Sequence, residues 1–265
     1  MVSQVPQEIT LSIVIPVFNE ENTVRSVIDR LLSEVPVELE LIIVDDGSTD
    51  RTPAIVDQCA AKDSRIRVFH KANGGKTSAL KEGFQHTSGT IVIIQDADLE
   101  YDPAEIIHVI QPILDGHADV VYGSRFMVRR AARVLYFYHY IANNVLTLFS
   151  NVLTNLNMSD VETGYKAFRG EIIRNMTISS SGFGIEIEVT AKIAKTDAII
   201  YEVPISYYGR TYTEGKKIGL MDGVLALWYI FRFNLFCSLN RSFRIVPKSH
   251  ALENKKFSKH PADLR

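Results

Sequence analysis

Two rhythms of apolar and polar positions alternate along the first hundred residues. Short β-rich runs, Leu11–Val17 (LSIVIPV), Leu39–Val44 (LELIIV) and the stretch 90–95, are mostly apolar, and Ile66–His70 reads as a further short strand. The mostly apolar runs have the pattern of strands buried on both faces. Between them apolar residues recur at three- and four-residue spacing. Val24, Val27, Ile28, Leu31 and Leu32 predict one helix, with Asn19 as its N-cap and Glu20 and Glu21 in its first turn. A second helix is opened by Ser48 to Asp50 and Pro53 and runs to about Lys62, and a third covers 77–87. Strict strand–helix alternation implies an α/β fold, a Rossmann-like, mostly parallel sheet flanked by helices. Ligands of such sheets lie beyond the carboxyl ends of the strands. Each strand here ends in polar, chemically loaded residues: Phe18-Asn19-Glu20, Asp45-Asp46, Asn73 to Lys76, and Asp96 to Glu100.

The second half is less regular. A helix from Pro103 to Leu114 and a strand over 119–122 lead to Gly123-Ser124-Arg125, and Arg129, Arg130 and Arg133 follow. Residues 134–155 read as a helix whose apolar side chains, Tyr136, Phe137, Tyr140, Leu146, Leu148, Phe149, Val152 and Leu153, lie nearly all round it. Such a helix is either in the core or against lipid. Asp160 to Lys166 turn into a short strand, 184–195 form a helix, and a strand over 199–203 ends at Pro204. The stretch YYGRTYTEGKKIG from Tyr207 reads as a mobile loop, and 221–239 as an apolar to amphipathic helix with Trp228, Tyr229, Phe231, Phe233 and Phe236. The division that results is an N-terminal extension (1–10), one domain (11–218), a membrane-associated amphipathic helix (219–240) and a basic tail (241–265), its last fifteen or so residues disordered.

Composition narrows the function. The 265 residues are 46% hydrophobic, enough for a substantial core. A net charge of −2 gives no overall attraction to nucleic acid. Two distant cysteines, Cys59 and Cys237, offer neither a disulfide framework nor a zinc site, and suit a reducing compartment. The first ten residues lack the apolar core of a signal peptide. The nearest candidate span, Gly223 to Phe236, is interrupted by Arg232 and is short for a bilayer, so no transmembrane helix is expected.

The chemistry gathers at IVIIQDADLE (91–100). In extended chain Asp96, Asp98 and Glu100 share one face. Three carboxylates together repel, and a divalent cation with a preference for hard oxygen ligands, Mg²⁺ or Mn²⁺, resolves the conflict while leaving positions for phosphate oxygens.

The ordered motifs IVIPVFNE (13–20), IIVDDGSTDRT (42–52), NGGKTSAL (73–80), QDADLEYDP (95–103), VYGSRF (121–126), DVETGYKAFR (160–169) and YYGRTYTEGKKI (207–218) resemble glycosyltransferase family 2, in particular its dolichyl-phosphate mannose synthase-like branch. The resemblance implies a GT-A fold with C-terminal amphipathic helices, a nucleotide-diphospho-sugar donor and a metal on a DxD motif. It implies that Pro16, Phe18, Glu20 and Ala97 line the donor site, that Val44 and Asp46 meet the nucleoside, and that Lys76 nears the diphosphate. Asp96 and Asp98 correspond to the DxD pair, and Glu100 sits where mannose synthases carry Gln as a further metal ligand. Both GDP-mannose and UDP-glucose stand as donors. Arg125, Arg133 and Arg210 match contacts to an acceptor phosphate, and Lys216 would add to them.

The expected reaction is inverting transfer of a hexose, mannose or glucose, to a polyprenyl (dolichyl or undecaprenyl) phosphate. An acceptor that is already an anion needs cations more than a base. A hydroxyl acceptor, in polysaccharide or glycolipid synthesis, would need a carboxylate base, for which Asp160 and Glu162 are available. A non-catalytic sugar-nucleotide-binding protein is a third reading, opposed by the intact metal carboxylates. The lipid reading places the protein on the cytoplasmic face of a membrane as a peripheral protein, held by its amphipathic segments, with Arg241 and Arg244 at the headgroups, or by a membrane-anchoring subunit.

Overall fold

The computed structural model describes residues 10–127, 136–210 and 220–250. The predicted strands and helices form in order: β1 (Leu11–Val17), α1 (Val24–Glu34), β2 (Leu39–Asp45), α2 (Thr52–Ala60), β3 (Ile66–His70), α3 (Lys76–Gln85) and β4 (Ile91–Ile94). A 3₁₀ turn, Pro103–Glu105, leads into α4 (Ile106–Leu114) and β5 (Val120–Ser124). Then come α5 (Phe137–Thr154), β6 (Lys166–Arg169), α6 (Gly170–Asn175), α7 (Ile185–Ile193), β7 (Ile200–Pro204), α8 (Leu220–Leu235) and α9 (Leu239–Ser242).

The strands make one seven-stranded sheet, ordered β3-β2-β1-β4-β6-β5-β7. All neighbours pair in parallel except β6, which runs antiparallel to both β4 and β5. The continuous apolar runs follow from burial on both faces. Ile13, Ile15, Leu41, Ile43 and Ile93 face a core with α1, α2 and α4. Val14, Ile42, Val44 and Val92 face the opposite core, with α3, α6 and α7. This is the mostly parallel, helix-flanked sheet expected from the sequence.

Three local expectations are revised. Asn19 is not the cap of α1: that helix starts at Val24 after Thr23, and Asn19 takes a left-handed φ of 54°. Its Oδ1 accepts from the Thr49 backbone at 2.8 Å, which ties the turn after β1 to the turn after β2. The acidic stretch does not continue β4 as extended chain, because the strand ends at Ile94 and Leu99 has φ 62°. Helix α6, not foreseen, begins directly where β6 ends.

A third core lies between α5, α7 and α8, with Leu146, Ile187, Ile230 and Phe233 at its centre. Helix α8 therefore packs on the domain, through one side only. The other side leaves Met221, Val224, Trp228 and Leu235 exposed, and α5 likewise exposes Phe137, Tyr138, Leu148 and Val152. Residues 241–250 lie against the domain: Phe243 is buried and bridges Met176, and Ser249 Oγ donates to Asp119 Oδ2 at 2.6 Å. The remainder of the predicted tail and nearly all of the N-terminal extension fall outside the described residues.

Candidate active site

A cleft of about 380 Å³ opens at the carboxyl ends of the strands. Pro16, Phe18 and Glu20 reach it from the end of β1, Asp46 from β2, Lys76 from the start of α3, and Asp96, Ala97, Asp98 and Glu100 from the turn after β4. Arg125, just past β5, and Arg210 complete it. Thus eleven of the sequence-predicted site residues meet in one place. Val44 does not line the cleft: it is fully buried beside α3. Arg133 and Lys216 lie outside the described residues.

Six carboxylates line the cleft (Glu20, Asp46, Asp96, Asp98, Glu100 and Glu162) against three cations (Lys76, Arg125 and Arg210). Arg210 lies across the acidic turn. Its Nη2 donates to Asp98 Oδ2 at 2.7 Å, its Nη1 to Glu20 Oε1 at 3.3 Å, and its backbone N to Glu100 Oε1 at 2.8 Å. Tyr207 Oη donates to the other Glu100 oxygen at 2.7 Å. Lys76 Nζ bridges Asp96 at 2.9 Å and Glu186 at 3.1 Å. Burial opposes the Lys76 charge, but Asp96 and Glu186 outweigh it and hold its pKa well above the usual lysine range. Burial, then the charges of Asp96 and Glu100, push the Asp98 carboxyl up to about 7 despite the pull of Arg210. The acidic turn is therefore short of positive charge.

As they stand, no three His, Cys, Asp or Glu side chains among the described residues are grouped to hold an ion. Arg210 and Lys76 divide the carboxylates between them. The donor set nevertheless fits a hard divalent cation: Asp96, Asp98 and Glu100 offer only oxygens, and burial, with the charges of the other two, raises the Asp98 carboxyl. Gly164 makes room here, since a Cβ on it would stand 2.8 Å from Asp96 Oδ2.

Asp46 is 2% exposed and organises the loop before α3. It accepts from Lys71 Nζ at 2.7 Å and from the backbone N–H of Gly75 at 2.7 Å. Gly75 there has φ 84°, which favours glycine. Across the cleft, Arg125 forks onto Asp160, Nε to Oδ2 and Nη2 to Oδ1, both 2.7 Å. Its Nη2 also donates to Asn143 Oδ1 of α5 at 3.0 Å, and Phe126 packs edge-on to Tyr140 of α5. The arginine thus connects the cleft to the helix that carries the exposed apolar face. Burial works against its charge, but Asp160 more than restores it.

Sequence reasoning missed Tyr101, Gly182 and Phe183, which also line the cleft. Nothing in their spacing marked them. Gly182 is placed by tertiary contact: its carbonyl accepts from both the backbone N and Oγ1 of Thr77.

The match to known proteins covers the same architecture. Residues 12–177 fit the model of the family described as Glycosyl transferase family 2. The chain belongs to that family. Among its relatives, the polyprenol monophosphomannose synthase of Mycolicibacterium smegmatis is 27% identical over 222 residues, spanning 81% of this chain and 83% of that protein. The undecaprenyl-phosphate mannosyltransferase of Micrococcus luteus is 28% identical over 217 residues, 79% and 88% of the two chains. The crystal structure of glucosyl-3-phosphoglycerate synthase from Mycobacterium tuberculosis, in complex with Mn²⁺, UDP and phosphoglyceric acid, aligns with a TM-score of 0.66 at 23% identity. It covers 85% of this chain and 78% of that one, so the family 2 chain described here shares its GT-A fold.

Proposed function

We propose that this family 2 glycosyltransferase moves a hexose from a nucleotide-diphospho-sugar to a polyprenyl phosphate at a membrane surface. The observation that carries it is the arrangement of one cleft: an acidic turn on one side, and on the other Arg125, whose guanidinium is bonded to a helix with a bare apolar face. The names of the mycobacterial and micrococcal relatives support the same acceptor.

Asp96, Asp98 and Glu100 would hold Mg²⁺ or Mn²⁺, which when bound supplies Lewis-acid stabilisation of the departing diphosphate. Lys76, already charged and beside Asp96, adds a second cation where negative charge develops. Pro16, Phe18 and Asp46 lie where the nucleoside of GDP-mannose or UDP-glucose would lie. Arg210 stands on the acidic turn as its internal counter-ion, and its guanidinium would be available to the acceptor phosphate where those carboxylates hold a metal. Arg125 presents the acceptor from the other side through forked contacts. A phosphate monoester is already a nucleophile at neutral pH, so attack needs no base, and displacement from the face opposite the diphosphate inverts the anomeric centre.

The exposed faces of α5 and α8 suit peripheral attachment on the cytoplasmic side of a bilayer. Each carries large apolar side chains, and their rings meet at Phe149 and Phe231, 6.2 Å apart. Among the described residues no helix is long and apolar enough to cross a membrane. Whether an anchoring subunit assists is read from flotation of the purified chain with liposomes: co-flotation without a partner excludes the need for one.

A hydroxyl acceptor is the second reading, favoured by one observation. Asp160, one of two candidate bases, has both oxygens occupied by Arg125, whereas Glu162 lines the cleft with an oxygen that has no partner. Incubation of purified protein with radiolabelled donor, Mn²⁺ and polyprenyl phosphate separates the two. Label passing into the organic phase is expected, and label confined to water-soluble product overturns the lipid acceptor.

A further inference from the structure

Most buried carboxylates near the cleft are saturated. Asp160 takes the Arg125 fork, Glu188 accepts from Ser179, Ser180 and Lys192, and Glu202 accepts from Ser159. Glu162 and Glu186 differ. Glu162 lines the cleft, yet its Oε1 is shut off from solvent with no hydrogen-bond partner. Glu186 is 6% exposed; its Oε1 holds Lys76 at 3.1 Å, while its Oε2 has no partner either. A buried acceptor left unsatisfied is costly, and two together point to a ligand that supplies donors.

The chemistry of that ligand is constrained. A phosphate oxygen carries no proton and would be repelled by these carboxylates. A polyprenyl tail has nothing to donate. What lies between the acidic turn that takes a diphosphate and the arginine that takes an acceptor is the group in transit, and a sugar ring is a ring of hydroxyl donors. We propose that Glu162 and Glu186 hold the hydroxyls of the donor's hexosyl ring and so select the sugar. The assignment rests on the nucleotide-sugar reading above.

Lys76 links this pair to the phosphate end, because the same ammonium bridges Glu186 and Asp96. Burial and then the charge of Glu186 lift the Glu162 carboxyl to about 7. Near neutrality Glu162 therefore retains a proton for part of the time, which lets it donate to a ring oxygen as well as accept.

The test is binding without acceptor, in the presence of Mn²⁺. UDP, GDP, UDP-glucose and GDP-mannose are titrated into the wild type and into E162Q and E186Q. Wild type binds one nucleotide-sugar more tightly than its nucleoside diphosphate. E162Q keeps its affinity for the free diphosphate within about twofold but binds the nucleotide-sugar roughly 10- to 100-fold less tightly, the range for a hydrogen bond to a charged group. E186Q weakens the sugar more than the diphosphate. Monodeoxy analogues of the preferred donor test the wild type alone, free of any folding defect: removal of one hydroxyl weakens binding by a similar factor, and E162Q shows no further loss with that analogue. A general base would alter turnover and leave acceptor-free donor affinity unchanged. Equal weakening of diphosphate and nucleotide-sugar, or unchanged sugar affinity in E162Q, or full affinity for every deoxy analogue, overturns the assignment. A wild type that binds no nucleotide-sugar at all overturns it together with the proposed function, which tells the two failures apart.

Discussion

The two banks of the cleft are built in opposite ways. The acidic bank grows from the ends of β1, β2 and β4, strands buried on both faces, and its side chains are fixed by short contacts within the rim. The other bank rests on α5 and α8, which bury one side and leave the other bare: Phe137 is 67% exposed, Tyr138 83% and Met221 70%. A charged, compact donor calls for a rigid, preorganised site. A long apolar acceptor calls for a surface that can meet lipid. Under the proposed function, the contrast teaches that one fold can separate electrostatic preorganisation from membrane contact, with Arg125 at the seam.

The sharpest way to break this comparison is at the acidic bank. Asp98→Asn should lower turnover by about 10²- to 10³-fold, the usual loss when one preorganised electrostatic contact is removed, and leave the circular dichroism spectrum intact. Unchanged turnover would remove this bank from the chemistry.

At the seam, Arg125→Ala strands the fully buried Asp160 and should cost about 3–5 kcal/mol of stability, read by urea unfolding. Arg125→Lys keeps the charge and loses the fork, so the KM for polyprenyl phosphate should rise while donor affinity stays put. On the bare bank, Trp228→Glu should reduce liposome binding by roughly tenfold, as expected for losing one large apolar contact, with donor affinity unaltered. If Trp228→Glu weakens donor binding as much as liposome binding, the separation of functions fails.

The smallest effect concerns pH. The Glu162 carboxyl is held at about 7 by burial and by Glu186, against 4.5 ordinarily. Between those values the native protein keeps a proton that the unfolded chain has released, so this group's contribution is full below about pH 4.5 and declines as pH rises through 7. Melting temperature, followed from pH 5 to 8, should fall less steeply in E162Q than in the wild type.

How much of this was legible in the sequence also divides between the banks. Leu11–Val17 and Leu39–Asp45 form where apolar runs placed them, because a strand buried on both faces must be apolar nearly throughout, while the edge strand Ile66–His70 buries only Ile66 fully. The polar residues that end them therefore had to converge on one edge. Residue pattern carries no strand direction, so the antiparallel β6 could not be read, nor could the contact of Arg210 with Glu20, 190 positions apart. Helix α5 was ambiguous because it is both things at once: Leu146, Thr147 and Ser150 face the protein while Phe137, Leu148 and Val152 do not. Asn19 misled because its side chain serves a neighbouring turn and not the helix it precedes. Val44 closes a core face next to Gly83, a fact of packing that no motif states.

The reversed direction of β6 has a wider consequence. It sends the five residues 160–164 through the middle of the molecule, where Asp160 grips Arg125, Glu162 faces the cavity and Gly164 lies against Asp96. If the proposed roles hold, spacing between the incoming and the departing molecule is set by one short ribbon. Lineages that exchange one acceptor for another by altering this ribbon should find their choice of sugar drifting at the same time.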